Sequence, residues 1–205
     1  MNLEKYQQYS RIARGLEKAD LVLKDARIVN VFTEEIIRGD IAIQDGIIAG
    51  IGSFHGKEER DLAGRYVCPG FIDSHLHLES TLVTPAELVT AASRHGTTTF
   101  IVDPHESANV SGLAGIDYIL DQTEDVKANV YVMMPSCVPA TAIDDNGCTL
   151  TAEDMVPYLH NSRILGLGEV MDSISVVQGE KSMHDKLELF EGRIRDGHAP
   201  FLEEG

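Results

Sequence analysis

The chain has 205 residues, 43% of them apolar and 24% charged, a composition that excludes a disordered protein and fits one domain or one domain with a small second one. Seventeen basic and 33 acidic residues give a formal net charge of −16, which argues against nucleic acid and anionic membranes as partners. Three cysteines at unrelated spacings favour reduced thiols, and no apolar run reaches the ~20 residues of a membrane span, so we expect a cytoplasmic protein.

The first part of the chain predicts a short helix followed by a small β domain. Within residues 1–18, apolar side chains recur at spacings of three and four, as in an amphipathic helix. Short segments rich in β-branched residues follow in residues 20–66. The pair Asp45-Gly46 between two of them predicts a hairpin, because both positions of such a turn need a positive φ. We expect residues 20–66 to form an antiparallel β unit.

From residue 67 the pattern changes to short apolar strands that alternate with helices. This alternation predicts parallel βαβ units whose sheet is covered on both faces. We expect helices to begin after caps at Thr84 and Thr151 and to include HDKLELFEGRIRDG. Residues 67–205 supply four units and the start of a fifth strand, whereas a closed eight-stranded barrel needs ~200–250 residues. An open five-stranded α/β sheet and a barrel cut partway both remain open.

Imidazoles and carboxylates follow the predicted strands where each strand ends. His75 and His77, at positions i and i+2 after VCPGFID, point to the same side and could chelate one metal ion; the alternative is a polar loop with two solvated histidines. Glu169 ends the apolar strand LGLG, where a buried carboxylate must be paired or bound to a metal. His198 follows the fifth strand. If the strands form a barrel, these four side chains converge, and their donor atoms suit zinc, iron or manganese.

Five further polar residues near the strand ends are candidates for contacting a small ligand or orienting a metal ligand. They are Asp73, Glu79, His105, Glu106 and Ser136. A loop cap is the alternative role for Glu79. For His105 and Glu106 the choice lies between lining the site and hydrogen-bonding to a ligand histidine.

The motifs PGFIDSHLHLES, DPHESANVSG, LGLGEVMD and GHAP together closely resemble those of the adenine deaminases in the amidohydrolase superfamily. The resemblance covers essentially the whole chain and implies an α/β fold, a partial TIM-like (β/α)8 barrel preceded by a small β-sandwich-type unit. It also implies a binuclear centre of Mn²⁺ or Fe²⁺, with Zn²⁺ as an alternative. In that centre His75, His77 and His198 would be ligands and Glu169 would bridge the two ions. Many relatives have a carboxylated lysine at the bridging position, so the glutamate favours adenine deaminase.

The implied reaction is hydrolytic deamination of adenine to hypoxanthine and ammonia, a purine-salvage step, with adenine and water as partners and a homodimer left open. Family members run to several hundred residues, and their strand-six histidine and catalytic strand-eight aspartate would lie beyond Gly205. We therefore expect an N-terminal portion that is inactive alone, with one domain in residues 1–66 and barrel strands one to five in residues 67–205. The alternatives are another cyclic amidohydrolase, such as a dihydroorotase or hydantoinase relative, and a half-barrel that binds metal without turnover.

Overall fold

The computed structural model describes residues 2–141, 143–198 and 200. The chain divides into two units, Met1–Pro69 and Gly70–Gly205. The division falls after residue 69 because the short strand at Tyr66–Val67 pairs within the first unit.

One helix and a five-stranded mixed sheet make up the first unit. Its elements are α1 (Leu3–Ala13), β1 (Ala19–Asn30), β2 (Glu35–Gln44), β3 (Ile47–Gly52), β4 (Gly56–Asp61) and β5 (Tyr66–Val67). The strand order is β3-β2-β1-β4, and β5 pairs with another stretch of β1. β1, β2 and β3 are antiparallel neighbours, but β4 and β5 run parallel to β1. The prediction of an antiparallel unit is therefore wrong for these two pairs, because hydrophobic periodicity identifies a strand without specifying its partner.

Local sequence signals explain the turn and the helix of this unit. The β2–β3 hairpin turns at Asp45 and Gly46, whose φ angles of 51° and 75° confirm the predicted turn. Asn2 caps the start of α1, since its side chain accepts a hydrogen bond from the backbone N–H of Lys5. The helix ends at Ala13, earlier than predicted, and Gly15 follows it in the left-handed region with a φ of 71°.

Asp40 is a buried carboxylate of the first unit with a full set of hydrogen-bond donors. It accepts hydrogen bonds from Lys24 Nζ and from the backbone N–H groups of Asp25 and Phe54. Burial alone would raise the pKa of Asp40, but these donors outweigh it and lower the pKa. Asp40 is thus satisfied within the unit.

The second unit carries a parallel sheet covered by helices. Its elements are β6 (Phe71–Leu76), α2 (Pro85–Ser93), β7 (Thr97–Val102), α3 (His105–Ser111), α4 (Leu113–Gln122), β8 (Asn129–Pro135), α5 (Ala152–Met155), β9 (Ile164–Gly168), α6 (Ser173–Gln178), α7 (Lys181–Leu189) and β10 (Ile194–Arg195), with 3₁₀ turns at Glu79–Thr81 and Val156–His160. The strand order β6-β7-β8-β9-β10 follows the sequence, and each neighbouring pair is parallel.

The alternation of apolar strands and helices thus produces the predicted α/β arrangement, in which all five strands end at the same edge. Phe100, Val102, Val132, Met134 and Leu167 belong to the core of this unit. Burial of such side chains, at roughly 25 cal/mol per Å² of apolar surface, is the main stabilisation of the sheet.

Two details of the second unit differ from the sequence prediction. The helix predicted over HDKLELFEGRIRDG ends at Leu189, and Ile194–Arg195 instead forms β10 beside β9. A helix that the strand-end interpretation missed, α3, begins at His105. Thr84 and Thr151 occupy the predicted N-cap positions; the Thr84 side chain makes no capping hydrogen bond, whereas Thr151 forms a capping box with Asp154. Among the described residues, no helix combines the length and the apolar character needed to cross a membrane.

Candidate metal centre

Two histidines at the end of β6 face each other across a short gap. The Nε2 atoms of His75 and His77 lie 3.2 Å apart. His77 Nδ1 lies 2.8 Å from the backbone oxygen of Asp103, and since a carbonyl only accepts, Nδ1 carries the hydrogen. In this tautomer the His77 ring presents the lone pair of Nε2 towards His75.

The Glu169 carboxylate, directly after β9, lies among four imidazoles. Its side chain is only 3% exposed. Oε1 lies 2.7 Å from His75 Nε2, 2.8 Å from His198 Nε2 and 3.5 Å from His77 Nε2. Oε2 lies 3.1 Å from Nδ1 of His105. Burial would raise the pKa of Glu169, but the His198 hydrogen bond and the surrounding imidazoles lower it overall, so the carboxylate is charged at neutral pH.

Asp103, at the end of β7, is buried without a hydrogen-bond partner for either side-chain oxygen among the described residues. Asp103 is 1% exposed, and its Oδ1 lies 3.5 Å from His105 Nδ1. This nitrogen, too, has no hydrogen-bond partner among the described residues. Burial raises the pKa of Asp103, while the Asp103 carboxylate raises the pKa of His105 to about 8. Gly168 makes room for this arrangement, because a Cβ there would collide with Asp103 Oδ2.

Glu106 lies beside two of the imidazoles, and Glu79 lies next to Glu106. Glu79 Oε1 accepts a hydrogen bond from the backbone N–H of Ser107, whereas its Oε2 is buried without a partner in the described part of the chain. Burial raises the pKa of Glu79 to about 7. Glu106 Oε1 accepts from the Ser80 hydroxyl, and Glu106 Oε2 lies 3.8 Å from a nitrogen of His77 and of His105.

The remaining two candidates touch the centre through its backbone. The Ser136 hydroxyl is fully buried and donates to the backbone oxygen of Glu169 at 2.8 Å. Asp73 accepts a long hydrogen bond, 3.4 Å, from the backbone N–H of His75. Neither side chain belongs to the groups whose potential ligand atoms converge.

Potential metal-ligand atoms converge in three overlapping groups, each with its atoms within 4.8 Å of one another. The groups are His75, His77 and Glu169; His77, His105 and Glu106; and Asp103, His105 and Glu169. His198 approaches the same carboxylate from beyond β10. Asp103 is the member that sequence reasoning missed as a candidate. It is the first charged residue after the buried strand TTTFIV, the same signal that singled out Glu169.

Comparison with known proteins identifies the family. Residues 66–193 match the model of the amidohydrolase family. The chain belongs to this family. The amidohydrolase match extends over the strands that carry His75, His77 and Glu169.

Curated relatives match over nearly the whole chain. An adenine deaminase of Desulfitobacterium hafniense is 57% identical over 204 residues, which are 100% of this chain and 36% of that protein. Adenine deaminase 2 of Carboxydothermus hydrogenoformans is 49% identical over 189 residues, 92% of this chain and 33% of that protein. This amidohydrolase chain thus spans about a third of the length of the curated relatives it matches.

A solved structure resembles the fold of this amidohydrolase chain. The atrazine chlorohydrolase of Arthrobacter aurescens, crystallised with zinc, aligns with a TM-score of 0.51 and 17% identity over 67% of this chain and 41% of its own. At this identity the likeness supports the fold alone. Together with the family match, it identifies the five parallel strands as part of a TIM-type barrel.

Proposed function

We propose that this chain provides a metal-binding part of an enzyme that hydrolyses adenine to hypoxanthine and ammonia. The observation that carries the proposal is the 57% identity over the whole chain to an adenine deaminase. The four imidazoles and the Glu169 carboxylate between them add support, because together they offer the nitrogen and oxygen donors that bind a divalent cation.

The polar groups of the centre fit a divalent cation. Asp103 is 1% exposed and both its oxygens lack hydrogen-bond partners among the described residues, a deficit that a cation or a protonated neighbour would relieve. Imidazole and carboxylate donors suit zinc, iron and manganese. We propose His75, His77, Glu169 and His198 as ligands of a binuclear centre, with Glu169 shared between two Mn²⁺ or Fe²⁺ ions. Zn²⁺ is the alternative.

Deamination needs an attacking water, and it also needs a proton for the departing ammonia. A bound divalent cation supplies Lewis acidity, which makes water a nucleophile at neutral pH. The hydrogen bond from His77 Nδ1 to Asp103 O keeps His77 Nε2 free to act as a ligand. His105, with its raised pKa, holds a proton at neutral pH, and Glu106 Oε2 lies 3.8 Å from His105 Nε2. We propose that these two side chains deliver the proton to the leaving amine.

Three of the candidates would serve as supports in this proposal. Ser136 and Asp73 bond to the backbone of Glu169 and His75, and Glu79 accepts from the backbone of Ser107 beside Glu106. The catalytic base would come from a strand-eight aspartate, as the family resemblance implies.

The N-terminal sheet has a place in the same proposal. We infer that residues 1–66 contribute to a small β-sandwich and residues 67–205 to the barrel. The mixed five-stranded sheet supports a separate first domain, and because the sheet includes Val67 this domain would end a few residues later than residue 66. The three free cysteines agree with a reducing cytoplasm, and a homodimer stays a prediction.

A chimera tests the proposed activity. This chain replaces the matching 36% of the D. hafniense adenine deaminase, and hypoxanthine and ammonia are measured after reconstitution with Mn²⁺ or Fe²⁺. We expect adenine turnover in the chimera and a loss of more than about 100-fold in Glu169→Gln, which keeps the size of the side chain and removes its charge. Glu153→Gln, at an exposed helical position outside the centre, is the matched control.

The alternatives give different results in the same assay. Turnover of dihydroorotate or hydantoin without turnover of adenine would favour another cyclic amidohydrolase. Binding of Mn²⁺ without turnover of any of these substrates would favour a metal-binding half-barrel.

A further inference from the structure

The backbone at Glu169 is strained. Its φ of 23° lies in the positive region that residues other than glycine rarely adopt. Five other non-glycine residues of the described chain have positive φ, but their values of 49° to 61° lie in the left-handed well and none of them is buried. Strain of this kind persists only where surrounding contacts hold the backbone in place.

Ser136, just beyond β8, bonds to the backbone on both sides of the strained residue. Its N–H donates to the backbone oxygen of Gly168 at 3.0 Å, and its hydroxyl donates to the backbone oxygen of Glu169 at 2.8 Å. Cys137 continues the contact, since its Sγ accepts from the backbone N–H groups of Met171 and Asp172 at 3.3 and 3.4 Å. Two consecutive residues thus hold the segment 168–172 along one side.

Lys186 anchors this contact from α7. It is 6% exposed, and its Nζ donates to the backbone oxygen of Ser136 at 2.6 Å. Burial lowers the pKa of Lys186, because removing the ammonium group from water destabilises its charged form; the hydrogen bond to Ser136 partly offsets this loss. On the other side, Asp196 Oδ1 accepts from the Glu169 N–H at 3.1 Å, which completes the restraint of the Glu169 peptide groups.

We propose that Ser136, anchored by Lys186, is a positioning residue that holds Glu169 in its strained conformation and so aims its carboxylate at the imidazoles. The inference rests on the proposed metal site. Ser136 contacts the backbone of Glu169, whereas the histidines proposed as metal ligands contact the Glu169 carboxylate. Loss of the Ser136 hydroxyl lets the backbone relax towards the allowed region and turns the carboxylate away from His75 and His198.

Co²⁺ titration of the full chain, followed by visible absorption, tests the proposal. We expect Ser136→Ala to weaken Co²⁺ binding about 10-fold and to change the ligand-field spectrum, because residues that orient ligands typically affect metal affinity by 10- to 100-fold. Lys186→Met, which keeps the length of the side chain but loses the donor, should change affinity and spectrum in the same direction. Ser93→Ala is the control, since it also removes a hydroxyl-to-carbonyl hydrogen bond, from Ser93 to Val89, but within α2.

Urea unfolding of each metal-free variant separates positioning from stability. Support for the proposal is weakened Co²⁺ binding and an altered spectrum in Ser136→Ala, with a loss of stability similar to that of Ser93→Ala. Wild-type affinity and spectrum in Ser136→Ala, combined with loss of binding in Glu169→Gln, would overturn the positioning role and leave the metal site standing. If the wild type fails to bind Co²⁺, or if Glu169→Gln binds it equally well, the proposed metal site is wrong and this inference fails with it.

Discussion

Two buried aspartates, one in each unit, have opposite surroundings. Asp40 in the N-terminal sheet is 8% exposed and accepts hydrogen bonds from Lys24 Nζ and two backbone N–H groups. Asp103 at the end of β7 is 1% exposed, and neither of its side-chain oxygens has a hydrogen-bond partner among the described residues. Burial alone does not reveal the role of a carboxylate. The number of donors around it distinguishes an internally paired group from one suited to an external cation.

The two pKa shifts reflect this difference. Burial raises the pKa of both groups, but Lys24 and the backbone donors reverse the shift at Asp40, whereas His105 and His77 do not overcome it at Asp103. Asp40 should therefore stabilise the fold in its charged form, and Asp103 should destabilise the metal-free fold in its charged form.

Asp40→Asn should produce the largest change in stability. The substitution removes the charged partner of a partly buried lysine, and we expect the free energy of unfolding to fall by about 2 kcal/mol. Urea unfolding measures the change, with Glu35→Gln at an exposed position of β2 as the matched carboxylate-to-amide control. Equal effects of the two substitutions would show that the Lys24–Asp40 pair contributes no more than a surface charge.

Asp103→Asn should have a smaller effect of the opposite sign. Because the cost of burying the Asp103 charge outweighs its attraction to His105 and His77, we expect the free energy of unfolding of the metal-free chain to rise by about 1 kcal/mol. Adding Mn²⁺ should stabilise the wild type more than the variant. If the metal-free variant instead loses as much stability as Asp40→Asn, the proposed difference between the two aspartates is wrong.

The pH dependence of stability should give the smallest effect. For Asp103→Asn, the stability difference from the wild type should change by less than about 1 kcal/mol with pH. Since the folded pKa of Asp103 is raised, its cost disappears as the pH falls through that pKa, and the stability gap between Asp103→Asn and the wild type should close by about pH 4. The folded pKa of Asp40 is lowered, so its contribution persists at pH 4 and is lost only as the pH falls further, through the lowered pKa. Urea midpoints across this pH range measure the stability difference of each variant from the wild type. If both differences disappear at the same pH, the opposite pKa shifts of Asp40 and Asp103 are contradicted.

Part of the candidate centre could be predicted from sequence because a simple rule applies to it. Parallel strands end at one edge of a sheet, so residues that directly follow strands meet there, and His75, His77 and Glu169 follow this rule. Asp103 follows the rule too, but its lack of donors becomes visible only in three dimensions. β10 has just two residues, too few to show a periodicity. The parallel pairing of β4 and β5 with β1 depends on tertiary contacts that the local pattern does not encode.

The backbone angle of Glu169 has a consequence for protein engineering. Glycine is the residue best suited to a φ of 23°, so any redesign that ranks substitutions by conformational ease would select glycine at position 169. That choice would relax the backbone and remove the one carboxylate that, among the described residues, contacts all three of His75, His105 and His198. Selection for thermal stability and selection for chemistry therefore act against each other at this single position. A mutant library designed to raise the thermal stability of this barrel should keep Glu169 unchanged and vary other positions.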